Sequence, residues 1–579
     1  MKTVLKYYKP YIPFVGLIIV FLFCQAMCEL LLPGYMAKII DLGIIKGDMG
    51  YIRKTGLIML VIAAASAASA ICANGLGART AAGVSRKLRK SLFSKVTAFS
   101  TEELGTFSTA SLITRSTNDV QMIQQATVML LRMAIFAPIM GVGAVFMAVK
   151  TSLALSWTVG VALICVLVII GICFVAILPK FKVMQEKLDR VNLIMKERLE
   201  GTLVVRAFNT EKKEEDRFDV ANLDVTGINR FVNKAMSLMM PSLTFVMSGV
   251  GILIVWVGAH MVEAQNLLIG DMLAYLQYAM HVIMSFLFVT MIFMMIPRAA
   301  VSAGRIGKVL DVVPTIIDPE TPEVIENGQG KVEFRNVTFR YPDADSRVLA
   351  EISFVAEPGK TTAIIGGTGS GKSTLINLIP RFYDVTEGQV LIDGHDVRNV
   401  AMSQLRDEIG YVPQKGLLFS GTIADNLRYG KGDATDEELM EALDIAQATE
   451  FIKEKPNGID EMVAQGGTNV SGGQKQRLSI ARALVKRPKL YIFDDSFSAL
   501  DFKTDKALRQ ALAEKVAGST IIIVAQRINT IMDADQILVL DDGHLVGKGT
   551  HRELLNTCEV YQEIALSQLS EEELERGRD

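Results

Sequence analysis

Along the first half of the chain, apolar residues come in long unbroken runs separated by charged stretches. In the second half they come in short runs separated by turns. Runs of about 20 residues, the length a helix needs to cross hydrocarbon, occur at Phe14–Leu32, Gly56–Asn74, Val128–Val149, Leu153–Leu178, Met236–Val262 and Met272–Ile296. They predict six transmembrane helices. Their connections are uneven: Gly75–Thr127 and Pro179–Ala235 are long, whereas a few residues around Lys150 join the third span to the fourth. Stretches such as Lys180–Phe218 mix apolar and charged residues at helical spacing, so the spanning helices are expected to continue beyond the bilayer. Asp311–Gly330 contains Pro314, Pro319, Pro322, Gly328 and Gly330, the composition of a domain boundary. From Lys331 short β-rich runs such as Val332–Phe334 and Thr362–Ile365 alternate with helical stretches, which is α/β patterning. The expected organisation is a transmembrane domain at 1–310, a linker at 311–330 and an α/β domain at 331–579.

Charge sets the orientation. The two long connections carry Arg79, Arg86, Lys87, Arg89, Lys90, Lys95 and Arg115, and many basic residues between Lys180 and Lys234. The opposite loops hold Lys38, Lys46, Arg53, Lys54 and Lys150. This bias predicts that both long connections and both termini are cytoplasmic. The formal net charge of −2 provides no bulk basic field, so nucleic acid is not expected as a partner. Cys24, Cys28, Cys72, Cys165 and Cys173 fall in apolar segments and Cys558 stands apart, a pattern without a disulfide framework or metal spacing. The run from Phe14 to Leu32 is longer than a signal-peptide core and reads as the first span. The absence of an organelle-targeting segment ahead of it favours a bacterial cell membrane. Gln25, Glu29, Asn74, Gln277 and His281 are costly in lipid and are candidates for a water-filled pathway, or for the interface where they lie near span ends. The sixth span is rich in Met and aromatics, including Met280, Met284, Phe286 and Met291, residues suited to adaptable binding surfaces as well as to ordinary helix packing.

The strongest chemical signal follows the apolar run Thr362–Ile365. Gly366, Gly367, Thr368, Gly369, Ser370, Gly371, Lys372, Ser373 and Thr374 fit G-x-x-x-x-G-K-[ST]. Such glycines let backbone N–H groups turn inward around phosphate oxygens, the Lys372 position reaches the β- and γ-phosphates, and the Ser373 hydroxyl can bind Mg²⁺. A second apolar run, Leu490–Phe493, ends in Asp494, placing a carboxylate where it can hold Mg²⁺. The two motifs together complete a site for a nucleoside triphosphate with Mg²⁺.

Between these motifs lies Asn469-Val470-Ser471-Gly472-Gly473-Gln474-Lys475-Gln476-Arg477. This run resembles the signature of the ATP-binding cassette family, with Val470 where Leu is usual, and the resemblance extends over almost the whole chain. It implies that Tyr341 stacks on adenine, that Gln414 links Mg²⁺ to the membrane domain, and that Asp501 makes an inter-cassette contact. It also implies that Ser471, Gly472, Gly473 and Gln474 close over ATP held by a second cassette, so a second, homologous half-transporter is an expected partner. Six spans with two long cytoplasmic connections resemble the exporter branch, and Ser108–Val120 and Glu200–Phe218 are similar to its intracellular loops. The implied fold class is a six-helix all-α transmembrane domain with long cytoplasmic helical extensions, fused to an α/β P-loop cassette.

Two positions depart from that family. Asp495 follows the strand aspartate where the family carries the Glu that positions the attacking water, a loss of about 1.5 Å of reach. Gln526 stands in place of the family's switch His, and Gln neither titrates nor carries charge. Both catalytic positions are altered while the signature Ser471–Gln474 is intact. The pattern resembles the degenerate subunit of a heterodimeric multidrug-type exporter moving hydrophobic or amphipathic substrates such as drugs, lipids or peptides out of the cytoplasm or inner leaflet. A slow homodimeric exporter, an ATP-gated sensor or channel, and an exporter-shaped siderophore importer are the alternatives.

Overall fold

Six helices dominate the N-terminal part of the computed structural model, which describes residues 2–342 and 344–569; the tail 570–579 of the expected cassette lies outside those residues. They are α1 (Ile12–Lys38), α2 (Met49–Thr97), α3 (Val120–Thr151), α4 (Ser156–Glu200), α5 (Glu211–Glu263) and α6 (Ile269–Leu310). All six are long and apolar enough to cross a membrane. The longest, α5, has 53 residues, roughly 80 Å at the rise of an α-helix, against a hydrocarbon core of about 30 Å. More than half of it therefore lies beyond the bilayer, as the charged helical spacing of the long connections leads one to expect. Prolines sit inside α1, α3, α4, α5 and α6, a tolerance typical of spanning helices, whose neighbours re-satisfy the freed carbonyls.

The outer faces of these helices are apolar. Leu60, Val61 and Ile71 of α2 and Ile164, Val168 and Ile172 of α4 are exposed, as suits contact with lipid. The inner faces pack Ala26 and Leu30 of α1 and Met140 and Ala144 of α3 with Tyr275, Tyr278 and Val282 of α6. The two buried tyrosine hydroxyls there each find a carbonyl: Tyr275 Oη donates to Leu155 O at 2.8 Å and Tyr278 Oη to Leu30 O at 3.1 Å. Buried Asp41 accepts a hydrogen bond from Gly270 N–H at 2.8 Å, where a side chain at 270 would strike the Ala37 backbone. Of the polar residues expected in the spans, Gln25 donates to Glu29 at 2.9 Å within one helix, and Asn74 borders a small cleft.

The chain divides into two units, Met1–Thr97 with Thr109–Val312, and Ala98–Ser108 with Val313–Asp579. The segment Ala98–Ser108 thus groups with the C-terminal part. It holds the short helix Thr101–Thr106, and Glu103 fixes it: Oε2 accepts from Ser100 N at 2.6 Å, and Oε1 accepts from Thr315 N at 2.7 Å. The second long connection contains the short helix Thr202–Ala207 between α4 and α5.

The C-terminal unit is built on β-strands. A four-stranded antiparallel sheet has the order β2-β1-β4-β5, from β1 (Val332–Phe339), β2 (Leu349–Ala356), β4 (Glu387–Ile392) and β5 (His395–Asp396). A six-stranded sheet has the order β12-β11-β3-β10-β9-β6, with β3 (Thr361–Gly366), β6 (Ile409–Val412), β9 (Leu490–Asp494), β10 (Thr520–Val524), β11 (Gln536–Asp541) and β12 (His544–Gly549). The short pair β7 (Gly421–Thr422) and β8 (Met462–Val463) stands apart. Within the larger sheet only the β11–β12 pairing is antiparallel. Its central strands are buried on both faces, which is why β10 reads Thr-Ile-Ile-Ile-Val without alternation. Ile522 and Val524 join a core shared with β1, β2 and β4, while Ile521 and Ile523 join the core beneath the helices.

Candidate functional site

Parallel strands place whatever follows them at one edge of the sheet. The phosphate loop follows β3, Asp494 ends β9, Asp495 comes next, Gln526 lies two residues past β10, and Gln414 lies two residues past β6. All five features meet at the carboxyl ends of strands, the edge at which open α/β sheets bind ligands.

The loop itself is set by its glycines and its lysine. Gly366 has φ +157°, and any side chain there would run into the Leu540 carbonyl on neighbouring β11. Gly367, Thr368 and Gly369 are exposed, whereas Ser370, Gly371 and Thr374 are buried and anchor the loop to α7 (Lys372–Leu378). Lys372 Nζ donates to Gly366 O at 2.9 Å and to Gly367 O at 2.6 Å, so its ammonium is held over the loop. Burial lowers its proton affinity, and the neighbouring Asp495 and Asp494 oppose that shift.

Ser373 Oγ donates to Asp494 Oδ1 at 2.9 Å, bringing together the hydroxyl and the carboxylate expected to face Mg²⁺. Hard oxygen donors with a single carboxylate suit Mg²⁺, which prefers one or two protein oxygens plus phosphates and water to an all-protein cage. Among the described residues no cluster of three His, Cys, Asp or Glu forms such a cage. Burial raises the Asp494 carboxyl above its ordinary range, and adjacent Asp495 adds to the shift. An incoming cation would relieve both.

Asp495 is buried, at 7% exposure, with φ +44°. The left-handed backbone is unusual outside glycine, though Asp tolerates it better than most. Its N–H is fixed by Val524 O at 3.0 Å, and its carbonyl accepts from Ser498 Oγ at 2.8 Å. Its carboxylate is held as well: Oδ2 accepts from Gln526 Nε2 at 2.9 Å and from Gln414 Nε2 at 3.3 Å. Three residues singled out in the sequence therefore form one hydrogen-bonded group. Burial raises the Asp495 carboxyl, and the Gln414 amide opposes that shift.

Tyr341 has its hydroxyl 2.9 Å from Thr374 Oγ1, and its ring packs edge-on against Phe339 and Tyr383 with centroids 4.9 and 5.3 Å away. The signature run opens α8 (Gly472–Val485). Ser471 is its N-cap, with Ser471 Oγ accepting from Gln474 N at 3.3 Å and Gln474 Oε1 accepting from Ser471 N at 3.0 Å. Ser471 and Gly472 are exposed. Asp501 likewise caps α9 (Phe502–Lys515): Oδ1 accepts from Thr504 N at 3.0 Å and Oδ2 from Thr504 Oγ1 at 2.8 Å, which hold its carboxyl below the usual range.

Two residues that sequence reasoning passed over tie these parts together. Gln476, buried on α8, accepts from Gly416 N at 3.0 Å and donates to Pro413 O at 3.1 Å, clamping both sides of Gln414. Ser496 Oγ donates to Val412 O at 3.1 Å, joining the turn after Asp495 to β6. A glutamine within the signature run was the available signal; its partners lie too far away in sequence to be read.

Comparison with known proteins places the chain as a whole. Residues 15–286 match the family model described as the ABC transporter transmembrane region, and residues 349–498 match the ABC transporter model. An uncharacterized ABC transporter ATP-binding protein of Mycobacterium tuberculosis is 41% identical over 97% of both chains. YfiB of Bacillus subtilis, an uncharacterized ABC transporter ATP-binding protein, is 38% identical over 99% of both. A bacterial Atm1-family ABC exporter, solved with ATP bound, superposes with a TM-score of 0.79 at 25% identity, covering 97% of this chain and 99% of that one. With a six-span membrane unit and a phosphate-loop sheet on one polypeptide, and relatives matched from end to end, the chain belongs to the ABC transporter family of ATP-hydrolysing membrane transporters.

Proposed function

We propose that this chain is one half of an ATP-driven heterodimeric exporter, and that its own nucleotide site is the impaired one of two. The observation that carries the reading is the group at Asp495. A Glu at this position would reach about 1.5 Å further toward an attacking water, whereas the Asp495 carboxylate accepts from both Gln414 and Gln526. Misplacing a catalytic group by ~1 Å can slow turnover ~10²-fold. ATP would be held by the loop Gly366–Thr374, with Tyr341 against the adenine. Ser373, Gln414 and Asp494 would hold Mg²⁺, which when bound neutralises charge on the β- and γ-phosphates. Ser471, Gly472, Gly473 and Gln474, exposed at the start of α8, would complete the competent site of a homologous partner, and Asp501 would meet that partner near the same contact.

In this reading both termini and the long connections are cytoplasmic, the membrane is that of a bacterial cell, and hydrophobic or amphipathic substrates leave the cytoplasm or inner leaflet. The bacterial relatives and the likeness to an exporter support it. The test compares ATPase rates of the complex purified from its native membrane through a tag on this chain. Gly472→Asp sets a carboxylate where the partner's γ-phosphate would lie and is expected to remove most turnover; Asp495→Asn is expected to change it less than about twofold. A side chain at 472 meets open space, and an acidic residue in a helix's first turn is favourable, so the loss would not reflect misfolding. Equal losses from the two variants would refute the division of labour.

A further inference from the structure

The first unit contains a cavity of about 740 Å³ between α2 and α3. Arg89 of α2 and Gln121, Gln124, Gln125 and Arg132 of α3 line it, with Val128, Met129 and Met133 as its apolar lining; among the described residues no acidic side chain is in its wall. Gln121, Gln125 and Arg132 recur at spacings of one and two helical turns, which places them on one face of α3. Arg132 stands four residues inside the apolar run Val128–Val149, about 6 Å along the helix from its start. An arginine at such depth is costly unless it has a partner or a wet route. Among the described residues neither Arg132 nor Arg89 has a carboxylate within ion-pair distance, and Arg89 Nη2 meets only the neutral Gln124 Oε1, at 3.3 Å. Arg132 also borders a separate cleft of only about 10 Å³, lined by Ile18, Leu22, Asn74 and Leu131, room for about one water. Cationic and apolar lining therefore adjoin at Arg132, beside Val128, Met129 and Met133, near the level where a spanning helix leaves the hydrocarbon.

We propose that this cavity takes the anionic group of an amphipathic substrate, with Arg132 and Arg89 on the charge, the glutamine amides donating to its oxygens, and the apolar chain lying along Val128, Met129 and Met133. The assignment rests on the transporter reading and narrows its substrate class to anionic amphiphiles. An uncompensated cation pair beside glutamines recognises a phosphate, sulfonate or carboxylate head, and it disfavours a cationic drug through like-charge repulsion.

The test places the full-length chain in phosphatidylcholine nanodiscs with a photoreactive alkyl sulfonate, or with the alcohol or trimethylammonium of the same chain, at equal mole fraction. Labelling of residues 121–133 is read by mass spectrometry. The sulfonate is expected to label about tenfold more than either analogue, the scale of one charge-assisted hydrogen bond. Arg132→Gln should abolish that preference, Arg132→Lys should keep most of it, and Arg86→Gln, which removes a charge from α2 outside the cavity, should leave it intact. Unlabelled phosphatidylglycerol that displaces the probe assigns a bilayer lipid as the natural source. Failure of that lipid to displace it, with the preference intact, assigns a soluble amphiphilic anion. Equal labelling by all three probes, or an equal loss in Arg86→Gln and Arg132→Gln, overturns the proposal. Binding of a fluorescent MgATP analogue to the same discs reports separately on the nucleotide site, so failure of the cavity assignment is distinguishable from failure of the transporter reading.

Discussion

Asp494 and Asp495 are adjacent carboxylates buried at one strand end, and each has its proton affinity raised chiefly by that burial. For Asp494 the folded-state value lies above the unfolded one. The stability from this group is therefore whole below the unfolded titration near pH 4 and is lost as pH rises through the raised folded value. Asp494→Asn is neutral throughout and can still accept from Ser373. In nucleotide-free protein it should unfold at a higher temperature than the parent near neutral pH, by about 2–4 °C for each ~1 kcal/mol relieved, and at the same temperature near pH 4. A neutral-pH midpoint below the parent's, followed by differential scanning fluorimetry, would contradict the burial argument. Lys372→Ala tests the other side of the site. Removing the cation that sits over the loop carbonyls should weaken MgATP binding by about 10- to 100-fold, the scale of a charged hydrogen bond; unchanged affinity in a titration of the purified chain would refute the loop's assignment. These residues were legible in the sequence because the loop, the strand-end aspartate and the signature are contiguous. The sharing of Asp495 by Gln414 and Gln526 was not, since it joins residues 81 and 31 positions apart.

Elements show the same division between local and distant signals. Of the strands around the site, β3 and β9 were readable as the short apolar runs Thr362–Ile365 and Leu490–Phe493, and the spans as apolar runs of bilayer length. Their true helical extent was only partly so, because polar extensions such as the first turns of α5, Glu211 to Glu215, carry no apolar run and must be read from spacing alone. The first short helix is Thr101–Thr106, just ahead of the stretch Ser108–Val120 that resembles an intracellular loop, and Glu103 pins it through a capping box and Thr315. The tie between α8 and the segment after β6 was invisible because Gln476 reaches Pro413 across 63 residues. It predicts that Gln476→Ala frees the partly buried Gly416 N–H and Pro413 carbonyl, each lost hydrogen bond costing about 0.5–1.5 kcal/mol. Hydrogen exchange of the 411–419 segment should quicken by at least about tenfold, while the loop after β3 keeps its protection. Unchanged exchange at 411–419 would show that the clamp is not what orders Gln414.

For the whole molecule, the two-part architecture follows from the fold and the family from relatives matched along nearly the whole chain, while the role of this chain rests on two substitutions meeting at one carboxylate. If Asp495 and Gln526 limit hydrolysis, a forced pair of identical chains joins a sound signature to a defective phosphate-loop half in both sites, and neither site cycles quickly. Binding depends on other residues and should survive. The measurement that tests this most directly is steady-state ATPase activity of the unmodified chain, purified alone in lipid nanodiscs, beside its Asp495→Glu, Gln526→His and doubly substituted forms. The account predicts MgATP binding with very slow hydrolysis by the parent. It predicts a rise of about 10- to 100-fold in the double variant, exceeding the product of the single effects because the two groups act on one water and one phosphate. Rapid hydrolysis by the unmodified chain, abolished by Asp495→Asn, would contradict it and make Asp495 a working catalytic base in a homodimeric exporter.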